Sequence, residues 1–145
     1  MSNRIVIIGA GSTNFGLGIV GDFFKSKILS GSTLVLHDIN PETLKNTYEI
    51  ALSYKEKLDV NFNIESTTSR SDALKKADFC LISIEVGNRF ELWEQDWKVP
   101  LQYGIKQVYG ENGGAGGLFH AMRQVPAIIK ICEDIEKNLP RGFCV

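Results

Sequence analysis

The sequence predicts an α/β protein with a Rossmann-like parallel sheet and helices on both faces of that sheet. Three observations predict this class. Short apolar runs alternate with segments whose apolar residues recur at helical spacing, a glycine-rich turn follows the first run, and an acidic residue ends the second. Strands separated by helices indicate right-handed βαβ units, and therefore a parallel sheet.

The first half of the chain is expected to hold four strands and three helices. Residues 4–8 are apolar on both faces, as in a buried parallel strand, and end at Gly9. Asn40, Pro41 and Glu42 supply an N-cap, a first-turn proline and a first-turn acid for a helix that runs to about Leu58. The other predicted elements are helix 15–28, strand 33–37, strand 63–66, a brief helix 72–77 capped by Ser71, and strand 78–84.

The second half is predicted to be less regular. Residues 85–117 hold two tryptophans, a proline and a glycine-rich run, which indicate a loop, or a loop and a short helix, at the carboxyl edge of the sheet. A long helix over residues 118–139 follows, and Pro126 is expected to kink it or to start a second segment. Its apolar residues form one stripe: Leu118, Met122, Val125, Ile129 and Cys132.

The length of 145 residues predicts one domain over residues 1–145. A chain of this size buries about 68 to 70% of the surface that it exposes when unfolded, which suffices for one core. After the helix breaker at residues 140–142, Phe143 begins an apolar segment as a buried strand would begin. We therefore expect a sheet truncated at the start of a further strand, in a chain that is a fragment.

Composition argues against nucleic acid and membrane partners. The formal net charge is −1 and the sequence pI is about 6.1, so the basic surface of a nucleic-acid or anionic-membrane binder is not expected. No apolar run approaches the roughly 20 residues that span a bilayer. Cys80, Cys132 and Cys144 have no metal-ligand spacing and are expected to be reduced thiols. The sequence thus predicts a soluble, cytoplasmic protein.

The glycine-rich turn is the clearest candidate site. Gly9 permits a tight turn after the first strand, and Gly11 lets a pyrophosphate approach the backbone. Ser12, Thr13, Asn14 and Phe15 lead into the helix, whose unpaired N–H groups and dipole favour an anion. Asn14 stands where the dinucleotide fingerprint has its third glycine.

Asp38 gives the turn a second feature of dinucleotide sites. It ends the second strand 27 residues after Gly11, where a carboxylate can accept hydrogen bonds from the adenosine ribose. Neither Ile39 nor Asn40 offers a cation for a 2′-phosphate, so NAD is favoured over NADP. The alternative interpretation is a structural glycine turn followed by a solvated aspartate.

The segment after the last predicted strand is a second candidate site. Ser83, Val86 and Gly87 are expected to contact the nicotinamide half of the dinucleotide, because ligands of open α/β sheets bind beyond the carboxyl ends of the strands. Asn88 and Arg89 are candidates for orienting a substrate hydroxyl or anion; a solvated arginine is the alternative. Two further aromatic residues, Trp93 and Trp97, suit either a packed helix face or a sugar-stacking surface.

The glycine run at residues 110–117 contains Glu111 and is a third candidate. Five glycines lose much backbone entropy on ordering, which indicates either a flexible solvent loop or a loop that closes over cofactor and substrate with Glu111 facing them. His120 and Arg123 follow in the first turns of the long helix, with a surface or core-edge position as their alternative.

Taken in order, these motifs resemble the N-terminal part of glycoside hydrolase family 4. This family includes α-glucosidases, α-galactosidases, α-galacturonidases and 6-phospho-glycosidases, and the resemblance runs through essentially the whole chain. The matching residues are Gly9 to Ser12, Phe15, Gly21, Asp22, Asp38, Ile39, Ser83, Ile84, Val86, Gly87, Pro100, Leu101, Tyr103, Gly104, Gly114, Gly116, Gly117, Ala121, Arg123 and Pro126.

The resemblance implies an NAD-dependent hydrolase outside the two-carboxylate scheme. In such enzymes NAD transiently oxidises the sugar 3-hydroxyl, a base removes the C2 proton, a divalent metal, usually Mn²⁺, stabilises the enediolate, and the aglycone leaves by elimination. Water then adds and the hydride returns. The family's Cys and His metal ligands and its base lie beyond this sequence, so the resemblance places no metal ligand and no catalytic base in this chain, which would be inactive alone.

Two departures from the family concern the substrate. Glu85 replaces an Arg common in the phospho-glycosidase branch, and residues 110–112 replace the usual Gln-Glu-Thr, although Glu111 still aligns with an acidic residue of that branch. The resemblance therefore implies a substrate-facing Glu111 and argues against a preference for phosphorylated sugars. It also implies a small-molecule glycoside as partner and a homo-oligomer for the full-length protein.

Two other functions remain open from the sequence. A hydroxy-acid dehydrogenase of the lactate/malate type has a similar sheet and fingerprint, and would accumulate NADH. A non-catalytic NAD-binding module would bind the dinucleotide without turnover.

Overall fold

The computed structural model describes residues 2–12, 15–107, 113–139 and 143–144. Within them, one parallel sheet of five strands has the order β3-β2-β1-β4-β5. The strands are β1 (Arg4–Ile8), β2 (Thr33–His37), β3 (Asn63–Thr67), β4 (Phe79–Ile82) and β5 (Phe143–Cys144). This order confirms the Rossmann-like class and the further strand that begins at Phe143.

The strand register brings the carboxyl ends of three strands to one edge. Ile8 pairs with His37 and with Ile82, and His37 pairs with Thr67. The predicted bounds of β1 and β2 are correct, β3 extends one residue further than predicted, and β4 is shorter than the predicted strand 78–84. Residues that follow β1, β2 and β4 therefore lie at the same edge of the sheet.

Three helices connect these strands: α1 (Gly16–Lys25), α2 (Pro41–Leu58) and α3 (Arg70–Leu74). Asn40 caps α2 as predicted, because its side chain accepts hydrogen bonds from the backbone N–H groups of Glu42 (3.0 Å) and Thr43 (3.3 Å). The predicted cap of α3 was wrong. Ser69, not Ser71, accepts from the N–H of Asp72, and α3 begins and ends earlier than predicted.

Both faces of the sheet are buried, as the predicted helices on both faces require. One face packs with α1 and α2 in a single apolar cluster that includes Ile7, Leu36 and Phe24. Alternate strand residues such as Val6 and Val35 are also buried, and α3 contacts β1, β2 and β3. The central strands β1 and β2 therefore read as largely apolar runs because both of their faces are buried, whereas β3, next to β2, has exposed polar residues.

Residues 85–117 were expected to be a loop, or a loop and a short helix, and residues 89–102 form the longer, 14-residue helix α4 (Arg89–Gln102). Trp93 and Trp97 lie in this helix, as one interpretation of their spacing expected. Asn88 caps it by accepting from the N–H of Phe90 (3.2 Å). Pro100 lacks the N–H that would bond to the carbonyl of Asp96, and the side-chain amide of Gln107 donates to that carbonyl instead (2.7 Å). A side chain outside the helix thus compensates for the proline.

The long helix α5 (Gly114–Asn138) starts four residues before its predicted start at Leu118. The second half of the glycine run is therefore helical, and Pro126 lies inside a continuous helix without starting a second segment. The predicted apolar stripe is exposed rather than buried. Its members are exposed as follows: Leu118 59%, Met122 66%, Val125 48% and Ile129 51%, with Cys132 also exposed.

The chain divides into two compact units. The sheet unit comprises Met1–Ile84 and Glu133–Val145, and the second unit comprises Glu85–Cys132. No helix of the described residues is long and apolar enough to cross a membrane.

Candidate functional site

The glycine turn follows β1 at the carboxyl edge of the sheet unit. The N–H groups of Gly9 and Ala10 both donate to the backbone carbonyl of His37, at 2.9 and 3.0 Å. Gly9 has a φ of +89°, and a Cβ at this position would lie 1.9 Å from the carbonyl oxygen of Ser83. Only glycine meets both requirements, so the turn passes directly against the end of β4.

Gly11 and Asp38 are brought together as the dinucleotide hypothesis expects. Asp38 Oδ2 accepts a hydrogen bond from the Gly11 N–H at 2.8 Å, and its Oδ1 accepts from the Asn40 N–H at 2.9 Å. A Cβ on Gly11 would lie 2.4 Å from Thr43 Oγ1 and 2.8 Å from Asp38 Oδ2. A carboxylate has about four acceptor positions, so Asp38 can still accept from two further hydroxyls.

The start of α1 follows the glycine turn and forms the next part of the candidate site. The Gly16 N–H donates to the carbonyl of Ser12 (2.9 Å), and a Cβ on Gly16 would lie 2.0 Å from the carbonyl oxygen of Ala10. The N-cap residue Phe15 makes no side-chain capping hydrogen bond and is 54% exposed. Among the described residues, no side chain caps the first-turn N–H groups of α1, as in helices that receive an anionic group.

Four of the predicted cofactor residues, Gly9, Gly11, Asp38 and Ser83, therefore lie at one edge of the sheet unit. Ser83 is fixed there because its N–H donates to the carbonyl of Ile8 (2.8 Å). Ser12 and Phe15 belong to the same turn. The other two residues predicted for this turn, Thr13 and Asn14, lie outside the described residues.

The remaining predicted residues belong to the second unit. Gly87 has a φ of +83°, and a Cβ there would meet Leu92 Cδ1 at 2.7 Å, so a glycine is required before α4. Asn88 uses its carbonyl oxygen as the cap of α4, and Arg89 stacks on the ring of Trp93, 4.5 Å from its centroid. Glu111 lies outside the described residues, so its expected role is not tested.

A polar cluster that the sequence did not predict surrounds Glu85. Its carboxylate accepts a hydrogen bond from the side-chain amide of Gln124 and lies 3.7 Å from Arg89 Nη1 and 3.9 Å from His120 Nδ1. Gln124 is only 7% exposed, and its Oε1 accepts from the Val86 N–H at 3.3 Å. The helical spacing of His120 and Gln124 was the one available signal, since it places both on one side of α5.

A second unpredicted feature joins α4 to α5. Arg123 makes two hydrogen bonds to the carboxylate of Asp96, whose side chain is 8% exposed. These bonds raise the pKa of Arg123, so the guanidinium stays charged. Gln107 adds a further link, because its Oε1 accepts from the Gly116 N–H at 3.0 Å. Arg123 is therefore a structural residue of the second unit, in the core-edge position that the sequence left open.

The described residues contain no group of three or more His, Cys, Asp and Glu side chains that could hold a metal ion. Cys80 and Cys132 are free thiols, the first buried and the second exposed.

Comparison with known proteins places these features in a family. Residues 4–145 match the family described as Family 4 glycosyl hydrolase. The chain is 52% identical over 143 residues to an α-glucosidase from Erwinia rhapontici, a match that covers 99% of this chain and 32% of that relative. The chain thus spans about a third of the length of the curated relatives it matches.

Two solved structures show how far the fold is shared. A 6-phospho-α-glucosidase from gut microorganisms, solved in complex with NAD and Mn²⁺, has a TM-score of 0.86 at 23% identity, covering 99% of this chain and 32% of that one. A lactate dehydrogenase from Eimeria maxima, solved with NADH and oxamate, has a TM-score of 0.68 at 14% identity, covering 99% and 35%. Both likenesses concern the fold, and the first is closer.

Proposed function

Because the chain belongs to family 4 of the glycosyl hydrolases, we propose that it is the NAD-binding part of a glycosidase that cleaves α-glycosides by redox elimination. The observation that carries this proposal is the contact between Gly11 and Asp38 at the carboxyl edge of the sheet. It joins a turn that a pyrophosphate can approach to a carboxylate that can bind ribose. The α-linkage rests on the α-glucosidase relative.

The residues of the sheet unit fit the adenosine half of NAD. The turn at Gly9 to Ser12 and the uncapped start of α1 would receive the pyrophosphate, together with Thr13, Asn14 and Phe15. Asp38 would accept from the ribose hydroxyls, and its negative charge would repel the 2′-phosphate of NADP. The complex of the 6-phospho-α-glucosidase with NAD supports this assignment.

Bound NAD would supply the hydride acceptor and donor for transient oxidation of the sugar 3-hydroxyl. Ser83, Val86 and Gly87 would contact its nicotinamide half through the backbone. Asn88, Arg89 and Glu111 would orient the glycoside, Asn88 through the amide NH₂ that capping leaves available. No residue of the chain is assigned as catalytic base or metal ligand, so Mn²⁺ would be bound by the remaining part of the whole protein, and residues 1–145 alone would be an inactive cofactor domain.

The decisive experiment measures hydrolysis of aryl α-glycosides by the whole protein, with and without NAD and Mn²⁺. We expect activity only when both are present, and no net accumulation of NADH. Activity that survives removal of both would overturn the proposal. Accumulation of NADH with a 2-hydroxy acid would instead favour a dehydrogenase, which has weaker support because the lactate dehydrogenase shares only the fold.

Calorimetry tests the cofactor site separately. Wild-type protein should bind NAD and not NADP, and Asp38→Asn should weaken NAD binding about tenfold, the effect of losing hydrogen bonds to a charged acceptor. Asp22→Asn is the matched control, because Asp22 is an exposed residue of α1 paired only with Lys25. Equal affinity of wild type and Asp38→Asn would contradict the assignment of Asp38.

The proposal extends to the state of the protein in the cell. We expect a cytoplasmic enzyme of carbohydrate metabolism, since the cysteines described are free thiols. We also expect the whole protein to be a homo-oligomer, which analytical ultracentrifugation would test.

A further inference from the structure

Gln124 of α5 hydrogen-bonds to two adjacent residues of the segment that follows β4, Glu85 and Val86. It is 7% exposed, and both ends of its amide are used: the nitrogen donates to the carboxylate of Glu85, and Oε1 accepts from the N–H of Val86 at 3.3 Å. A buried amide that is hydrogen-bonded through both its nitrogen and its oxygen holds its partners in one geometry. Gln124 therefore fixes the Glu85 carboxylate relative to the Val86 backbone within the second unit.

Glu85 connects Gln124 to Arg89. Its carboxylate lies 3.7 Å from Arg89 Nη1, four residues further along the chain. The guanidinium also stacks on Trp93, 4.5 Å from the ring centroid. Arg89 is thus held between a carboxylate and an aromatic ring, and the carboxylate is held by Gln124.

From this chain of contacts we infer that Gln124 is a positioning residue for glycoside binding, acting through Glu85 on Arg89. The inference rests on the proposed function, in which Arg89 contacts the substrate. It adds a residue 35 positions away from Arg89 in the sequence.

A glutamine suits this position better than a charged donor. Its amide holds the Glu85 carboxylate without neutralising it, so the negative charge remains available to Arg89. A lysine or arginine at position 124 would compete with Arg89 for the same carboxylate. A glutamate would keep the acceptor for the Val86 N–H but would lose the donor and repel Glu85.

Exchanging the amide and the carboxylate between positions 85 and 124 tests the inference. The variants are Gln124→Glu, Glu85→Gln and the double variant Glu85→Gln/Gln124→Glu, each made in the whole protein, with the KM for an aryl α-glycoside, the kcat and the affinity for NAD as readouts. The double variant restores an amide opposite a carboxylate. Gln95→Glu is the matched control, since Gln95 is exposed on α4.

We expect each single variant to raise the KM about tenfold or more, as for a lost hydrogen bond to a charged group. The double variant should keep the KM of Glu85→Gln without a second loss, because it restores a hydrogen bond between positions 85 and 124 but leaves position 85 without the charge that pairs with Arg89. Residues that act through one contact are coupled in this way. Affinity for NAD should change little in all variants, since the Val86 hydrogen bond is retained, and the control should match wild type. A purely structural role would lower thermal stability without this selective effect on KM.

The outcomes separate the two proposals. If wild type hydrolyses the glycoside with NAD and Mn²⁺ but the single variants keep its KM, or the double variant shows the product of both single effects, the positioning role is wrong while the proposed function stands. If wild type itself has no such activity, the proposed function fails and the positioning role fails with it.

Discussion

Among the described residues, the sheet unit buries 19 aliphatic, aromatic or cysteine side chains, whereas the second unit buries only Ile131 and Pro100. Two polar side chains are as deeply buried in the second unit: Asp96 is 6% and Gln124 7% exposed, and each is hydrogen-bonded to a residue distant in the sequence. The sheet unit buries three polar side chains, Ser32, His37 and Thr47, among its many apolar ones. Apolar burial is non-directional, while buried polar groups must meet specific partners. The first unit is thus determined by local pattern and the second by particular long-range contacts.

The largest effect is expected from a cavity in the sheet unit. Leu36 is fully buried in the apolar cluster, so Leu36→Ala should lower the free energy of unfolding by about 3 to 5 kcal/mol through lost transfer energy and a residual cavity. Urea denaturation followed by circular dichroism measures this change. Ile28→Ala is the control, because Ile28 is 90% exposed and should change stability by less than about 0.5 kcal/mol. If both variants lowered the free energy of unfolding by a similar amount, burial of apolar side chains would not be the main source of stability in the sheet unit.

A backbone change at the glycine turn should have the next largest effect. Gly9→Ala forces a side chain into a positive φ and against the Ser83 carbonyl, at a cost of about 3 kcal/mol from strain and overpacking. The same substitution at Gly18, where nothing lies within 4 Å of the added Cβ, should raise stability by about 1 kcal/mol. Thermal unfolding of both variants tests whether the two substitutions change stability in opposite directions. Two losses of equal size would show that the turn is not specially constrained.

The second unit should respond to loss of one charge. Asp96→Asn removes the carboxylate that pairs with Arg123 and should destabilise α4 and α5 by about 2 to 3 kcal/mol, since it leaves a partly buried guanidinium uncompensated. Hydrogen exchange of the amides in these helices measures the local effect. Glu94→Gln breaks an exposed pair with Lys98 and should cost about 0.5 kcal/mol or less. Uniformly faster exchange in the sheet unit would contradict a local role.

The same contrast explains what the sequence could predict. The bounds of β1 and β2 were correct because β-branched apolar runs buried on both faces leave a strong local signal. The length of α4 was underestimated because a contact from Gln107 compensates for Pro100, and that contact leaves no periodic signal. The cap of α3 was misplaced by two residues because Ser69 and Ser71 both suit the position.

The candidate site likewise has a part that local sequence pattern predicts and a part that depends on long-range contacts. The turn at Gly9 and Gly11 and the strand-end Asp38 were predictable, because motif order and strand ends fix where they lie. The link between Glu85 and Gln124 joins residues 39 positions apart. Glu85 was noted as a departure from the family, but nothing in the sequence indicated Gln124 as its partner. Such a pair becomes visible only when α5 is placed beside the segment that follows β4.

The smallest effect is expected at an ion pair on the surface of the sheet unit, between Arg4 and Glu65 (2.8 Å). The hydrogen bond from Arg4 holds the pKa of Glu65 below its ordinary value of about 4.3. The folded state therefore binds this proton less readily than the unfolded state, so the pair stabilises the protein fully above that value. The stabilisation is lost as pH falls through the lowered pKa of the folded state.

Glu65→Gln should accordingly cost less than about 1 kcal/mol at pH 7, because the Glu65 side chain is 44% exposed and solvent screens the pair. The difference from wild type should shrink as the pH is lowered below about 4.3 and at high salt. Urea midpoints of both proteins across this range measure it. A difference that stays constant from pH 7 into the acid range would mean that side-chain packing, not charge, is responsible. A difference as large as that of Asp96→Asn would mean that exposed charge matters to the sheet unit as much as buried charge matters to the second.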